Sequence, residues 1–165
     1  MPEVLKEKFL NILKEEKELY EDLFQAAEGK KEALIKNDVD KLLEEVESDK
    51  EIIPQIEKKE EERNELIEKI KSKFDIELEK NSYRELFKKL PEDWSEEFDP
   101  IREELLQLTE SFNKLNYNNQ QLLEQALKLN QISLNTIIDN VQQENSTYSN
   151  PKKIPGQPRI LNKQG

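Results

Sequence analysis

The sequence predicts an all-α protein: an elongated antiparallel helical hairpin plus a long third helix, together a three-helix coiled-coil bundle, with a flexible C-terminal tail. Three observations predict it. Apolar residues recur at helical spacing over three long stretches. Only three Gly occur, while Glu, Lys and Leu are abundant, which is the composition of long helices. Hydrophobic residues make up 34% of the chain against 38% charged, so thin seams are expected rather than a thick core. The 165 residues suit one domain. We place a single helical domain at 1–144 and a basic tail containing Pro and Gly at 145–165.

The first helix is expected from about Glu3 to Lys36, with Leu5, Phe9, Ile12, Leu19, Leu23, Ala26 and Leu34 on its stripe. Gly29 is tolerated within it at a cost of roughly 1 kcal/mol against Ala. In "KNDVDKLLEEV" Asn37 can end this helix in a left-handed conformation, and Asp38 can cap the next. The second helix then runs from Val39 to about Lys71 on Val39, Leu42, Val46, Ile53, Ile56, Arg63, Leu66, Ile67 and Ile70. The short connection makes the pair an antiparallel hairpin. Pro54 predicts a kink, because the stripe continues in phase beyond it.

A connector rich in large apolar groups follows. Ser82 can cap a short helix, Tyr83 to Leu90, and the connector is expected to pack across one end of the bundle with Trp94 as a packing plug. Asp99-Pro100 reads as the start of the third helix, Asp as cap and Pro at the first helical position. Ile101, Leu105, Leu108, Phe112, Leu115, Asn119, Leu122, Ala126 and Leu129 then step by four and three, as in a coiled-coil seam reaching about Gln143.

Composition excludes much chemistry. The net charge is −11, which disfavours nucleic acid and anionic membranes. There is no Cys and no His, so thiolate chemistry and the commonest general base and metal ligand are missing. The abundant Asp and Glu read as a solvated helix face. No catalytic, cofactor-binding or metal-ligating residues are assigned, and no cofactor is expected. The N-terminal stretch lacks the pattern of a signal peptide, and no apolar run suits a membrane span, so no membrane insertion and a cytoplasmic location are expected.

The informative stretch is "NYNNQQLLEQALKLNQISLNTIIDNVQQEN", Asn116 to Asn145, where Asn and Gln replace the Lys and Glu found elsewhere. Beyond Leu122 the apolar stripe doubles. Leu123, Leu127, Leu134, Ile138 and Val141 form a line beside Leu122, Leu129, Ile132 and Ile137. That face is wider than a thin hairpin needs, which points to a partner. Flanking amides fit, because each both donates and accepts and costs less to desolvate than an unpaired charge. Self-association, or cover by the connector, would also use such a face. Asn119 has two readings on the seam: a buried device for register, or a wet position.

The order of these features resembles the FlgN-like family of flagellar export chaperones. The resemblance rests on a Leu-rich first helix with "ELYEDL", on "KKEALIKNDVDKLLEEVESDKEII", on Arg63 in "EEERNELIEKI", and on "LNYNNQQLLEQALKLNQISLNTI". Asn116, Asn119 and Leu122 fall on the family's Asn-x-x-Asn-x-x-Leu pattern. "STYSNP", with Tyr148, resembles a segment that follows that helix, although Ser149 replaces a Gly. The resemblance implies a non-enzymatic cytoplasmic chaperone that binds hook-associated (hook–filament junction) proteins, prevents their premature assembly and delivers them to the type III export apparatus. The implied partners are those cargo proteins and export-apparatus components, with the chain itself a monomer or weak dimer. The partner-binding set joins Asn116, Asn119, Leu122 and Tyr148, which the resemblance implies, to Leu123, Leu127, Leu134, Ile137, Ile138 and Val141 of the broad apolar face. The alternative is a structural coiled-coil spacer or an accessory protein of an export ATPase.

Overall fold

The computed structural model describes residues 2–79 and 83–146; the side chains of Tyr83, Val141 and 143–146 are outside that description. Four helices and no strand are present among the described residues: α1 (Pro2–Lys36), α2 (Val39–Phe74), α3 (Tyr83–Lys89) and α4 (Glu92–Ser146). The all-α prediction, with three long helices and a short one in the connector, holds. The predicted tail, Tyr148 and the Ser82 cap lie outside the described residues. The chain divides into two units, 1–119 and 120–165.

In the first unit, the turn between α1 and α2 follows its local chemistry. Asn37 is left-handed, with φ 57, and the Asp38 N–H donates to the Ala33 carbonyl at 2.8 Å. Asp38 is extended, and its Oδ1 accepts from the Lys41 N–H at 3.1 Å, as an N-cap should. The helices run antiparallel. Lys30 pairs with Asp49, Tyr20 with Glu60 and Glu16 with Arg63, so partner numbers rise along α2 as they fall along α1. α2 passes through Pro54 as helix, in keeping with a continuing stripe. Val39, expected on the stripe, is 61% exposed, because the first residue of α2 stands too near the turn for α1 to cover it.

α2 extends past the predicted Lys71 to Phe74. Asp75 closes it in the left-handed conformation at φ 52, and both the Asp75 and Ile76 N–H groups donate to the Lys71 carbonyl. Ile76 is buried, so its packing holds a cap that ordinarily prefers Gly.

The start of α4 corrects the sequence reading. The helix begins at Glu92, about two turns before Asp99-Pro100. The Pro91 carbonyl accepts from the N–H groups of Trp94 and Ser95, and the Ser95 hydroxyl donates to the Phe87 carbonyl at 2.8 Å. Helical spacing over this stretch puts Trp94, Phe98 and Ile101 on one face, and all three are buried. Burying large side chains contributes roughly 1.5–3 kcal/mol each. That outweighs the helical bond lost at Pro100, whose partner carbonyl on the exposed Glu96 can meet water.

The open end of the hairpin is thicker than the thin seam expected. Phe98 lies 5.1 Å from Phe9, 5.7 Å from Phe87 and 5.8 Å from Trp94, ring centre to ring centre, in edge-to-face contacts. Phe74 meets Trp94 edge-on at 5.1 Å. Leu66, Ile67 and Ile70 from α2, with Ile76, Leu86 and Leu90, complete the core. The connector thus packs across this end, with Trp94 only 3% exposed. Towards the turn the buried residues of α1 become small: beyond Leu23 they are Ala26, Ala27 and Ala33. A Cβ at Gly29 would meet only the end of the flexible Glu45 side chain, at 2.5 Å, which can move aside. Up to Asn119, α4 runs parallel to α1: Lys6 pairs with Glu97, Lys17 with Glu104, and Asn119 meets Ala27.

Candidate functional site

The residues singled out by sequence fall in two places. In the first unit, Asn116 is exposed and Asn119 is buried at 5% exposure. Asn119 sits on the seam because it follows Phe112 and Leu115 at helical spacing. Its Nδ2 donates to the Ala27 carbonyl at 2.7 Å, while its Oδ1 is buried without a hydrogen-bond partner. The register and wet-seam readings of this position were both open; the amide meets α1 directly.

The second unit contains the α4 stretch from Gln120, helical to Ser146. Leu129, Ile132 and Ile137 are 64%, 61% and 58% exposed, and Leu123 is 40% exposed. Leu122, Ala126, Leu127, Leu134 and Ile138 are half-buried. Only the backbone of Val141 is described. At about 100° per residue, Leu122 through Val141 spread over roughly half of the helix circumference, and Ile132 lies outside that arc. Gln120, Gln121, Gln125, Asn130 and Gln131 around it are exposed, and Asn135 is half-buried. Among the described residues, this surface offers apolar area bordered by amides. The helical spacing of Leu123, Leu127, Leu134 and Ile138 puts these four on one side, as predicted.

Two buried ionic features escaped the sequence reading. Glu16 is fully buried and pairs with Arg63 Nη1 at 2.7 Å. Burial pushes its carboxyl up, and the Arg63 guanidinium opposes that push. Beside it, Tyr20 donates to Glu60 at 3.1 Å, and burial together with the Glu60 carboxylate pushes its hydroxyl up to about 12. Lys6 is buried against Glu97 at 2.7 Å, and the hydrogen bond to Glu97 raises its ammonium pKa. The signal for Glu16 was present: it lies seven residues from both Phe9 and Leu23, on the buried face of α1.

Among the described residues, no group of three or more His, Cys, Asp or Glu is placed to hold a metal ion, and no helix is long and apolar enough to cross a membrane. No curated protein and no solved structure matches the chain at a significant level. Against known protein families, the one described as FlgN protein matches residues 1–156, nearly the whole chain. With its helical hairpin, its cross-packed connector and its amide-bordered α4, the chain belongs to the FlgN family, a family of flagellar export chaperones.

Proposed function

We propose that this protein is a cytoplasmic export chaperone that holds hook-associated proteins through the broad apolar face of α4 beyond Gln120, prevents their premature assembly and delivers them to the export apparatus. The observation that supports this reading is the exposure of Leu123, Leu129 and Ile137 on one amide-bordered arc of α4. Such a face suits an apolar helical segment of a partner, and its amides can meet varied polar groups directly or through water. The binding set comprises Leu122, Leu123, Leu127, Leu134, Ile137, Ile138 and Val141. Asn116, Asn119 and Tyr148, carried over from the family pattern, are separate candidates. The chain acts as a monomer or weak dimer without catalysis, as one helical domain followed by a basic tail.

Leu127→Asp combined with Leu134→Asp tests it. Each lost Leu contact costs roughly 1.5–3 kcal/mol if fully buried in the complex, before the charge penalty. Titration calorimetry with a hook-associated protein should show binding weakened at least about a hundredfold. The melting curve of the free variant should stay close to that of the parent. Normal binding by a normally folded double variant would remove this face from the function. The same exposed face could instead serve self-association in a coiled-coil spacer. A stable high-order rod in sedimentation, with no affinity for hook-associated proteins, would establish that alternative.

A further inference from the structure

A second apolar surface lies within the first unit and does not depend on the reading of α4. No residue of α2 before Ile56 is buried, although Val39, Leu42, Leu43, Val46, Ile52 and Ile53 all lie in that half of the helix. The α1 residues buried along the same half of the hairpin are small, Ala26, Ala27 and Ala33, so α1 offers little apolar volume to pack against there. Val39, Leu43, Val46 and Ile53 fall at i, i+4, i+7 and i+14, within about 80° of the helix circumference and along roughly 21 Å of its length. Val39, Leu43 and Ile53 are 61%, 57% and 42% exposed, and Val46 is half-buried. The i+11 place belongs to Lys50, whose ammonium pairs with Glu47 at 2.9 Å and whose aliphatic stem keeps the line continuous.

The two edges of this line differ. Asp40, Glu44, Glu47 and Glu51 each lie one position on from it, about 100° round the helix, and all four are exposed. On the other edge Asp49 pairs with Lys30 of α1, so that side is occupied by the hairpin itself. The open surface is thus an apolar line with one acidic border. Nucleic acid and anionic membranes meet that border with like charge. A second copy brings the same border and the same net charge of −11, so it is opposed too. Carboxylates beside an apolar contact are costly to desolvate unless a cation meets them. A helix with its own apolar line and with Lys or Arg along the facing edge supplies both. Its side chains repeat at the spacing of α2, so a cation can meet a carboxylate at each turn.

We propose that α2 from Val39 to Ile53 docks a basic amphipathic helix of a partner protein, its apolar line against Val39, Leu43, Val46 and Ile53 and its cations along Asp40, Glu44, Glu47 and Glu51. The acidic border sets the orientation of the incoming helix and speeds its encounter, and the apolar line holds it.

Backbone amide NMR of the full chain tests this with a designed helical peptide of about 18 residues, carrying Leu at i, i+4, i+7 and i+11 and Lys along one edge. It should shift the amides of residues 39–53. A peptide of the same composition in scrambled order keeps the charge and loses the line, and should bind at least about tenfold more weakly. Leu43→Gln combined with Ile53→Gln, at two exposed positions that should leave the melting curve unchanged, should weaken the designed peptide about tenfold. Asp40→Asn combined with Glu44→Gln and Glu51→Gln spares the pair of Glu47 with Lys50. It should weaken the peptide about tenfold at low salt and flatten the salt dependence of binding. Equal binding of the scrambled peptide, or shifts confined to α4 beyond Gln120, overturns the proposal. Tighter binding at residues 39–53 by a peptide of residues 147–165, which is basic but interrupted by Pro151, Pro155 and Pro158, overturns the partner assignment in favour of the chain's own segment. Self-association of the parent that the Leu43→Gln and Ile53→Gln pair abolishes overturns it in favour of a second copy.

Discussion

Asn119→Leu should stabilise the protein, and the structure gives the size of the effect. The substitution removes one hydrogen bond, from Nδ2 to the Ala27 carbonyl at 2.7 Å. Such a bond is worth about 0.5–1.5 kcal/mol net. The Ala27 carbonyl lies inside α1 and keeps the N–H four residues on, so it is not orphaned. Against that loss, the change deletes Oδ1, which is buried with no partner at a penalty of roughly 1–3 kcal/mol. It also adds an apolar side chain of similar size at a position only 5% exposed, worth up to about 1.5–3 kcal/mol. Imperfect packing of the branched Leu offsets part of this. The balance is a gain of about 1–3 kcal/mol, or roughly 2–10 °C in melting temperature for a chain of this length. Asn119→Ala, which loses the bond and leaves a cavity, should be destabilised. Thermal and urea unfolding followed by circular dichroism measure both, and sedimentation measures any new oligomer. A loss of 1 kcal/mol or more in Asn119→Leu would refute the reasoning, because the amide would then be contributing more than one bond. A gain accompanied by a changed mass would identify the amide as the device that sets helix register.

Phe98→Ala should cost about 3–5 kcal/mol, because a fully buried ring with three aromatic neighbours is removed; a urea midpoint within error of the parent would contradict the packing described. Glu16→Gln should alter the pH dependence of stability. The folded carboxyl titrates above its ordinary value through burial, so its contribution is fully present below that value and is lost as pH rises through the folded one. The stability of the parent minus that of Glu16→Gln, from urea unfolding between mildly acid and neutral pH, should therefore fall as pH rises; a rise would mean that the pairing with Arg63 outweighs burial. Tyr20 should be the late-titrating phenol in an alkaline ultraviolet titration, near 12, and Tyr20→Phe should remove that phase; if the phase persists in the variant, another tyrosine carries it.

How much of this was legible in sequence depends on whether local chemistry or packing decided each point. The turn at Asn37 and Asp38 was legible, since a left-handed residue followed by a side-chain cap needs only neighbouring backbone groups. The beginning of α4 was not. Asp99-Pro100 is a sound local signal, but Trp94, Phe98 and Ile101 can reach Phe9 and Phe74 only as one helical face, and that long-range gain overrode it. The end of α2 was misplaced for a related reason, because Asp75 adopts a conformation ordinarily left to Gly while Ile76 is buried behind it. Glu16 went unread because a carboxylate at a core spacing looks like an interruption of the stripe. Its meaning depends on Arg63, 47 positions away. The apolar face of α4 was legible as a face from periodicity alone.

The composition of that face bears on how it would work. The core of the first unit includes four rings, Phe9, Phe87, Trp94 and Phe98, with Phe74 packed against it. From Gln120 to Ser146 there is no aromatic residue at all, and the apolar groups are Leu, Ile, Val and Ala. The strongest anchors of protein interfaces are Trp, Tyr and Arg, and none of them occurs in this stretch. An aliphatic face bordered by amides gains roughly 1.5–3 kcal/mol for each large side chain that it fully buries. It gains little from charge pairing, and its long-range electrostatic steering is weak. Part of the gain is spent on ordering whatever segment docks there. The sum favours an adaptable contact of moderate strength with rapid dissociation. A chaperone that must later release what it binds needs a contact of that kind. A ring-rich face like the Phe98 core would bind more tightly and release more slowly.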